Sequence, residues 1–590
     1  MNYFKLYWNI LSFRYKKAFA CVALAFTLGL FEGSALLSLI PIFQSQSGDA
    51  PAKGVQWAIL NWLALPFGSG VSARLVVFFI LGAMTACLHF ATDATLLSMR
   101  TNIEAWLRRR MSEALVSMDW TYYLNLKQGD VSHTFIAEGA QVAIGAHSFL
   151  AMLGTGLIAL TFLVMALQVS GRFTLCALSA GALGLILLKV TAKKRRLRSD
   201  ELTASASRVG DRVSVLFQNL KFFKSTGLDG ETLRGLDGDF QNASNSIFRS
   251  YLYGAKMRLF SELGVVILVS LLLFLMIGPK IGSSSSALVL LFIFYRLTPR
   301  LLTIQEHYHN SQVALSWYKA WFARFQFASN HPSRVNPGKV MLSGTGLRIE
   351  RVGFSYPGAS SPVLNEISFH ANEGECIAIV GPSGSGKSTV LDLIIGLLSP
   401  TKGDIIIGGI SHTQLDLGVW RKKLGLVMQE SPVFHVSILE NIAYGSGEPD
   451  PGRAKKAACM AHAWGFIQHL PHGMNSIIGE NGGRLSVGQR QRLALARALY
   501  REPSVLILDE ATSALDGAAE AEVQNAIAKI KGTCTILMVS HRIKTVQIAD
   551  RILVLDEGRI METGTWGELL SNPDGLFRQM AAAQGIQLKG

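Results

Sequence analysis

The chain has 590 residues, of which 49% are hydrophobic and only 16% charged, with a formal net charge of +15. It is too long for one compact domain and too poor in charge for an ordinary soluble protein, where about 25% is usual. The basic excess does not indicate nucleic acid, because Arg108–Arg110 and Lys193–Arg198 sit at the ends of apolar segments, where basic residues mark the cytoplasmic side of a membrane.

Lys5–Tyr15 (KLYWNILSFRY) mixes aromatic and basic residues and is expected to lie flat in the inner membrane interface. The apolar run after Lys17 is too long for a signal peptide and lacks a small-residue cleavage site. Six apolar stretches follow, each long enough to cross ~30 Å of hydrocarbon at ~1.5 Å per residue. They are Ala18–Phe43, Val71–Leu97, Val142–Val169, Phe173–Thr191, Arg258–Ile277 and Ser286–Thr303. The loops after the second and fourth are long and basic, whereas the outer loops carry only Lys53, Arg172 and Lys280. Both termini are therefore expected in the cytoplasm, as in a multi-pass protein of a bacterial-type inner membrane. The second and fourth segments are expected to continue as helices past the bilayer, with Met118–Gly129 and Leu216–Leu228 at their far tips, placed to touch a soluble domain. In the outer loop, Val55–Phe67 either lies on the outer surface as a helix or extends and packs on the first two spans.

Ionisable residues inside spans are costly and mark functional or paired sites. Glu32 lies in the first span, His89 and Asp93 in the second, Arg258 and Glu262 in the fifth, and Arg296 and Arg300 around Pro299 in the sixth. Folding the last two spans back on each other brings Glu262 to the depth of Arg300, which predicts a structural ion pair. Arg296 is left without a partner; facing a central cavity, it would favour an anionic substrate group.

After about Pro337 the pattern changes to strands and helices. The expected organisation is an all-α six-helix transmembrane domain over 1–330, a linker at 331–345, and, on the phosphate-loop motif Gly381–Ser388 (GPSGSGKS), an α/β P-loop ATPase domain over 346–585. The six cysteines lie far apart with no CxxC spacing, which indicates neither a zinc site nor a disulfide framework.

Gly381–Ser388 (GPSGSGKS) matches GxxxxGK[ST] between the strand CIAIV and the helix TVLDLIIGLL, the context that motif requires. Gly381, Ser383, Gly384, Ser385, Gly386 and Thr389 belong to the cradle whose backbone N–H groups approach phosphate oxygens, aided by the positive end of the following helix. Lys387 reaches the β- and γ-phosphates and the Ser388 hydroxyl reaches Mg²⁺. Val505–Glu510 (VLILDE) is a buried strand ending in two carboxylates. Asp509 is expected to hold the magnesium and Glu510 to polarise the attacking water. His541, after the strand TILMVS, offers an imidazole to the γ-phosphate.

With these residues in order, the chain resembles an exporter-type ATP-binding cassette transporter, a half-transporter with one membrane domain fused to one nucleotide-binding domain. The resemblance covers essentially the whole chain. It implies that Tyr356 in FSYPG stacks on adenine, and that Gln429 in VMQES touches Mg²⁺ and the water. It also makes Leu485–Gln489 (LSVGQ) the family signature, where Ser486, Gly488 and Gln489 meet ATP held by the opposite subunit. Ser513–Asp516 matches the loop that crosses the dimer interface, and Ile478–Gly482 resembles the segment that touches the loop tips. The implied partners are a second copy of the chain, membrane lipid and a transported molecule, with ATP and Mg²⁺ as cofactors. No catalytic position is replaced, so both sites of a homodimer are expected to be competent. The outer-loop element and the YRLTPR segment are loosely similar to lipid-linked oligosaccharide flippases; multidrug, lipid and peptide export stay open, as does an ATP-gated channel or sensor.

Overall fold

The computed structural model describes residues 3–38, 66, 68, 71–126, 131, 134–169, 171, 174–175, 209–210, 212–213, 215–277, 284–333, 344–479, 485–511 and 517–586. The expected fourth span, the cluster 193–198 and most of the outer loop 44–70 lie outside the described residues. The chain divides into two compact units: Met1–Ser117 with Leu126–Asn330, and Met118–Asn125 with His331–Gly590.

The first unit is helical. A short helix, α1 (Tyr3–Ser12), precedes α2 (Tyr15–Leu37) and α3 (Val71–Val116). One turn, α4 (Trp120–Tyr123), interrupts the series and belongs to the second unit. The first unit resumes with α5 (Gly139–Val169), α6 (Leu220–Thr226), α7 (Asp229–Ile277) and α8 (Ser284–Asn330). At 46, 49 and 47 residues, α3, α7 and α8 are each about 70 Å long, more than twice the ~30 Å of a hydrocarbon core. Their polar halves therefore extend beyond the bilayer. Among the described residues, three helical stretches are long and apolar enough to cross a membrane: Tyr15–Leu37, Val71–Val116 and Thr134–Val169. The fifth and sixth expected spans lie inside α7 and α8.

α5 is the central helix, packed along α2, α3 and, most extensively, α8. Small residues permit this closeness, as is usual between helices in lipid. A side chain at Gly145 would put its Cβ 2.1 Å from Ala314 Cβ on α8 and 2.8 Å from the Tyr7 hydroxyl. That hydroxyl donates to the Ser311 carbonyl (2.6 Å) while the Tyr7 ring stacks on Phe149 (4.8 Å), which ties α1 to the bundle. Arg324 of α8 pairs with the buried Glu138 just before α5.

The predicted Glu262–Arg300 pair does not form. The Glu262 side chain is exposed, and Arg300 instead meets Glu32 of α2 at 3.0 Å, with its other contacts to the same carboxylate at 3.1 Å and to His89 Nε2 at 3.5 Å. Arg296 also finds Glu32, at 3.5 Å. Folding α7 and α8 back about their connection considers sequence neighbours only. In the structure α8 packs mainly on α5, its contact with α7 is slight, and the buried carboxylate of α2 lies within reach of both guanidinium groups.

The second unit is an α/β domain that also takes in the tip Met118–Asn125. Here the expected boundary of 1–330 differs from the structure. Asp119 caps α4 by accepting from Thr121 N–H (2.9 Å), its own N–H donates to the His331 carbonyl (2.9 Å), and Trp120 packs on the domain's apolar core. In chain order the domain contains β1 (Leu347–Phe354), β2 (Leu364–Ala371), β3 (Cys376–Val380), α9 (Lys387–Ile395), β4 (Lys402–Ile407), β5 (Ile410–Ser411), α10 (Leu417–Lys422) and β6 (Leu424–Val427). There follow α11 (Val487–Tyr500), β7 (Val505–Asp509), α12 (Gly517–Ile530), β8 (Thr535–Val539), β9 (Arg551–Asp556), β10 (Arg559–Gly564) and α13 (Leu576–Ala583).

A six-stranded sheet runs β10-β9-β3-β8-β7-β6, parallel except for the edge strand β10, and a four-stranded antiparallel sheet runs β2-β1-β4-β5. β3 and β8 are buried at every residue and β7 at all but Asp509, the pattern of strands covered on both faces. The register pairs Ile379 with Val539 and Asp509 with Val539. The residues that follow β3, β7 and β8 therefore emerge side by side at one edge, where open α/β sheets bind ligands.

The tight α5–α8 contact is testable. Gly145→Val should lower stability by about 1–3 kcal/mol through overpacking, read as a fall in the melting temperature of the detergent-solubilised protein. An unchanged melting temperature would contradict the close approach.

Candidate functional site: the edge of the parallel sheet

Gly381 leaves β3 at φ 157°, and a Cβ there would lie 1.9 Å from the Leu555 carbonyl oxygen. No larger residue fits, so the chain turns on glycine and then enters α9 with Gly386 as the N-cap. The first turn of α9 carries Lys387, Ser388 and Thr389. Lys387 Nζ donates to the carbonyls of Gly381 (3.1 Å) and Pro382 (2.7 Å), folded back over the loop. Burial lowers its pKa, with the carboxylates of Glu510 and Asp509 opposing. A lysine partly stripped of water beside a helix N-terminus gains strongly from an added anion. The Ser385 hydroxyl is buried without a hydrogen-bond partner, while Ser383, Gly384 and Ser388 face solvent. The Tyr356 hydroxyl lies 3.4 Å from Thr389 Oγ1, and its ring packs edge-on to Phe354.

Asp509 and Glu510, consecutive in sequence, have different surroundings. Burial, and then the neighbouring Glu510, raise the Asp509 pKa. Its Oδ1 is buried with no hydrogen-bond partner. An orphaned carboxylate oxygen is the kind of hard oxygen donor that suits a divalent cation such as Mg²⁺. Glu510 takes φ 48°, a left-handed conformation that costs a non-glycine residue about 1–3 kcal/mol. Its N–H is tied to the Val539 carbonyl (3.0 Å). The turn aims the carboxylate at two partners: Gln429 Nε2 donates to Oε2 at 2.8 Å, and His541 Nε2 lies 2.5 Å from Oε1. Residues 81 positions apart in one case thus meet because β6, β7 and β8 are neighbours in the sheet. Such a carboxylate can orient a water and accept its proton.

The signature residues form a separate group. Ser486 caps α11 and closes a reciprocal box: its hydroxyl accepts from Gln489 N–H (3.2 Å) and the Gln489 side-chain oxygen accepts from Ser486 N–H (2.9 Å). Gly488 is buried in the first turn. Among the described residues, no hydrogen bond joins Ser486, Gly488 or Gln489 to the phosphate loop. Asp516 and the segment 480–482 lie outside the described residues.

Sequence reasoning passed over Asp392, the one acidic residue in the apolar helix α9, although a carboxylate within TVLDLIIGLL was the available signal. Burial, and then the charge of Asp509, push its pKa up to about 6. The folded state therefore favours the neutral acid. That contribution is present below the unfolded value near 3.9 and is lost as pH rises through about 6. Asp392→Asn should raise the melting temperature at pH 8, and the gain should shrink as pH falls from about 6 toward 5. A gain independent of pH would contradict this burial.

A family profile described as "ABC transporter" matches residues 364–513. Among curated proteins, the chain is 30% identical over 587 residues to the ATP-dependent lipid A-core flippase of Saccharophagus degradans, covering 97% of this chain and 96% of that protein. It is 30% identical over 550 residues to the protein of the same name from Coxiella burnetii (90% and 92% covered). It is 27% identical over 574 residues to the heterocyst differentiation ATP-binding protein HepA of a Nostoc species (95% and 93% covered). Its fold matches a solved bacterial Atm1-family ABC exporter with ATP bound, at TM-score 0.79 and 23% identity over 98% of this chain and 99% of that one. Full-length identity at this level, together with the phosphate loop, the signature and the paired carboxylates in one order, establishes that this chain belongs to the ABC transporters, as a membrane-embedded ATPase of the exporter type.

Proposed function

We propose that two copies of this chain sandwich two ATP molecules and use their hydrolysis to carry an amphipathic molecule with an anionic group across a bacterial-type inner membrane, with both termini and the ATPase domain in the cytoplasm. The carrying observation is the convergence of Gln429 and His541 on the Glu510 carboxylate, whose charge also acts on Lys387 of the phosphate loop.

In this reading the N–H groups of Gly381–Gly386 and the N-terminus of α9 hold the phosphates, and Lys387 leaves its carbonyl partners to meet the β- and γ-oxygens. Tyr356 stacks on adenine. Glu510 orients the attacking water and accepts its proton, and His541 holds the Glu510 carboxylate and touches the γ-phosphate. Ser388, Gln429 and Asp509 would hold Mg²⁺, which when bound neutralises charge on the phosphate oxygens. Ser486, Gly488 and Gln489, with Asp516, complete the site of the opposite copy. Closure of the paired domains is a shift of population toward the state that binds ATP on both sides.

One further observation supports a second copy. On α7, Phe240, Ile247, Phe248 and Leu252 are exposed although they precede the expected span, so lipid does not cover them. For the substrate, two guanidinium groups share one Glu32 carboxylate, and the Arg296 side chain keeps 48% of its surface exposed. The surplus positive charge inside the bundle suits phosphate or carboxylate. The flippases named above are relatives named for lipid A-core, and that likeness carries this reading furthest; multidrug or peptide export is the alternative.

Glu510→Gln should cut steady ATP hydrolysis at least ~100-fold while ATP still binds and favours the closed dimer; substantial turnover would refute the assignment. Arg296→Ala should weaken stimulation of ATPase activity by anionic lipids about tenfold in half-maximal concentration. Unchanged stimulation across anionic lipids would remove Arg296 from substrate recognition, and passive ion current on ATP addition would favour a channel.

A further inference from the structure

His541 is held from behind by a residue at the far end of the domain. Gln584 stands at the C-cap of α13, and its side-chain amide spans the His541 loop. Nε2 donates to the His541 carbonyl at 2.6 Å, and Oε1 accepts from the Ile543 N–H at 2.8 Å. Both contacts are to the backbone on either side of Arg542, so the amide acts as a fork across one turn. The fork stands on an anchored base. Phe577 of α13 is fully buried, and Glu562 of β10 accepts from the N–H groups of Leu576 (2.6 Å) and Phe577 (3.2 Å).

The same loop is gripped from the other side by Glu520 of α12, which pairs with Arg542 (2.5 Å) and accepts from the Thr545 hydroxyl (2.8 Å). Within the loop, the Ser540 hydroxyl accepts from Arg542 N–H at 3.0 Å. The loop is thus held by α12 and α13 as well as by the buried Ile543 and Val546, and the imidazole it carries lies 2.5 Å from the Glu510 carboxylate. A displacement of the His541 backbone moves the ring off Glu510, because the side chain has only two rotatable bonds with which to compensate.

We propose that Gln584 is a positioning residue for ATP hydrolysis: it fixes the backbone of the His541 loop so that the imidazole stays on Glu510. This rests on the assignment of Glu510 and His541 to hydrolysis. Gln584 itself touches no reacting atom. Its loss therefore lowers turnover without weakening nucleotide binding, which is carried by the phosphate loop at the end of a different strand.

The test uses the full-length protein in detergent or lipid. Gln584→Ala should lower kcat about 3- to 10-fold, the effect of one or two hydrogen bonds, with KM for ATP and melting temperature unchanged. Gln584→Glu is isosteric and gives the sharper readout. Ionised, the introduced carboxyl keeps the Ile543 contact but sets an oxygen against the His541 carbonyl, which raises its pKa. Protonated, it donates to that carbonyl as the amide did. Among the described residues, the charged and titratable side chains of the loop it spans are His541, Arg542 and Lys544, with Glu520 of α12 gripping the loop from the other side. The quantity read is the ratio of variant to wild-type kcat at each pH, which cancels any pH dependence the two proteins share and should rise severalfold from pH 8 to pH 6. The inference is overturned by wild-type kcat in Gln584→Ala, by a loss of kcat matched by a fall in melting temperature, or by a ratio that stays flat with pH. Glu510→Gln, run alongside, separates the two claims. If it still hydrolyses ATP steadily, the hydrolytic assignment has failed. If it is inactive while Gln584→Ala turns over at the wild-type rate, only the role of Gln584 falls.

Discussion

β3, β7 and β8 can be apolar along almost their whole length because both their faces are covered, and the hydrogen-bonded ladder holds them parallel with Ile379 and Asp509 both opposite Val539. Once the register is set, the phosphate loop, the Asp509–Glu510 pair and His541 have no freedom to be elsewhere: each is the first turn after its strand. A slip of one residue in β7 would exchange the directions of Asp509 and Glu510, placing the water-facing carboxylate where the buried one now lies. Glu510 sits in a strained left-handed conformation that only a rigid surround can maintain, and the surround is this sheet.

The same economy operates in the membrane part. Glu32 is nearly buried in an apolar bundle, where a lone carboxylate would be very costly. Arg300 satisfies it most closely and Arg296 more distantly, so one acid is shared by two bases on consecutive turns of α8. The three-residue cluster of Glu32, Arg296 and Arg300 thus carries one more positive than negative charge. The long polar extensions of α3, α7 and α8 carry the bundle well past the hydrocarbon, and the tip Met118–Asn125 is built into the α/β domain through Trp120 and Asp119.

The phosphate loop was legible in the primary structure because its chemistry is local. Glycines at fixed offsets, one lysine and the Ser388 hydroxyl beside it lie within nine residues, bounded by a strand and a helix. The apolar strand ending in two carboxylates, the histidine after the next strand and the helical continuation of the second span were legible for the same reason. The Glu262–Arg300 pairing was misread because it was inferred from chain neighbours, whereas α2 supplies the carboxylate. Asp392 and Gln584 carried no motif at all: one is a polar residue in an apolar helix, the other a glutamine near the C-terminus.

What the chain order alone determined is every feature set by short-range periodicity and composition: apolar segments long enough to span a bilayer, a nucleotide cradle, a signature helix and the membership of an ATP-driven transporter family. Only the tertiary structure decided which strands are neighbours, which acid meets which arginine, and that the last helix reaches back to grip the histidine loop. The reason is physical. Local motifs are specified by steric and hydrogen-bonding demands within a few residues, whereas pairings such as Glu32–Arg300, 268 positions apart, and Gln584–His541, 43 apart, exist because burial of distant apolar faces brings their backbones together.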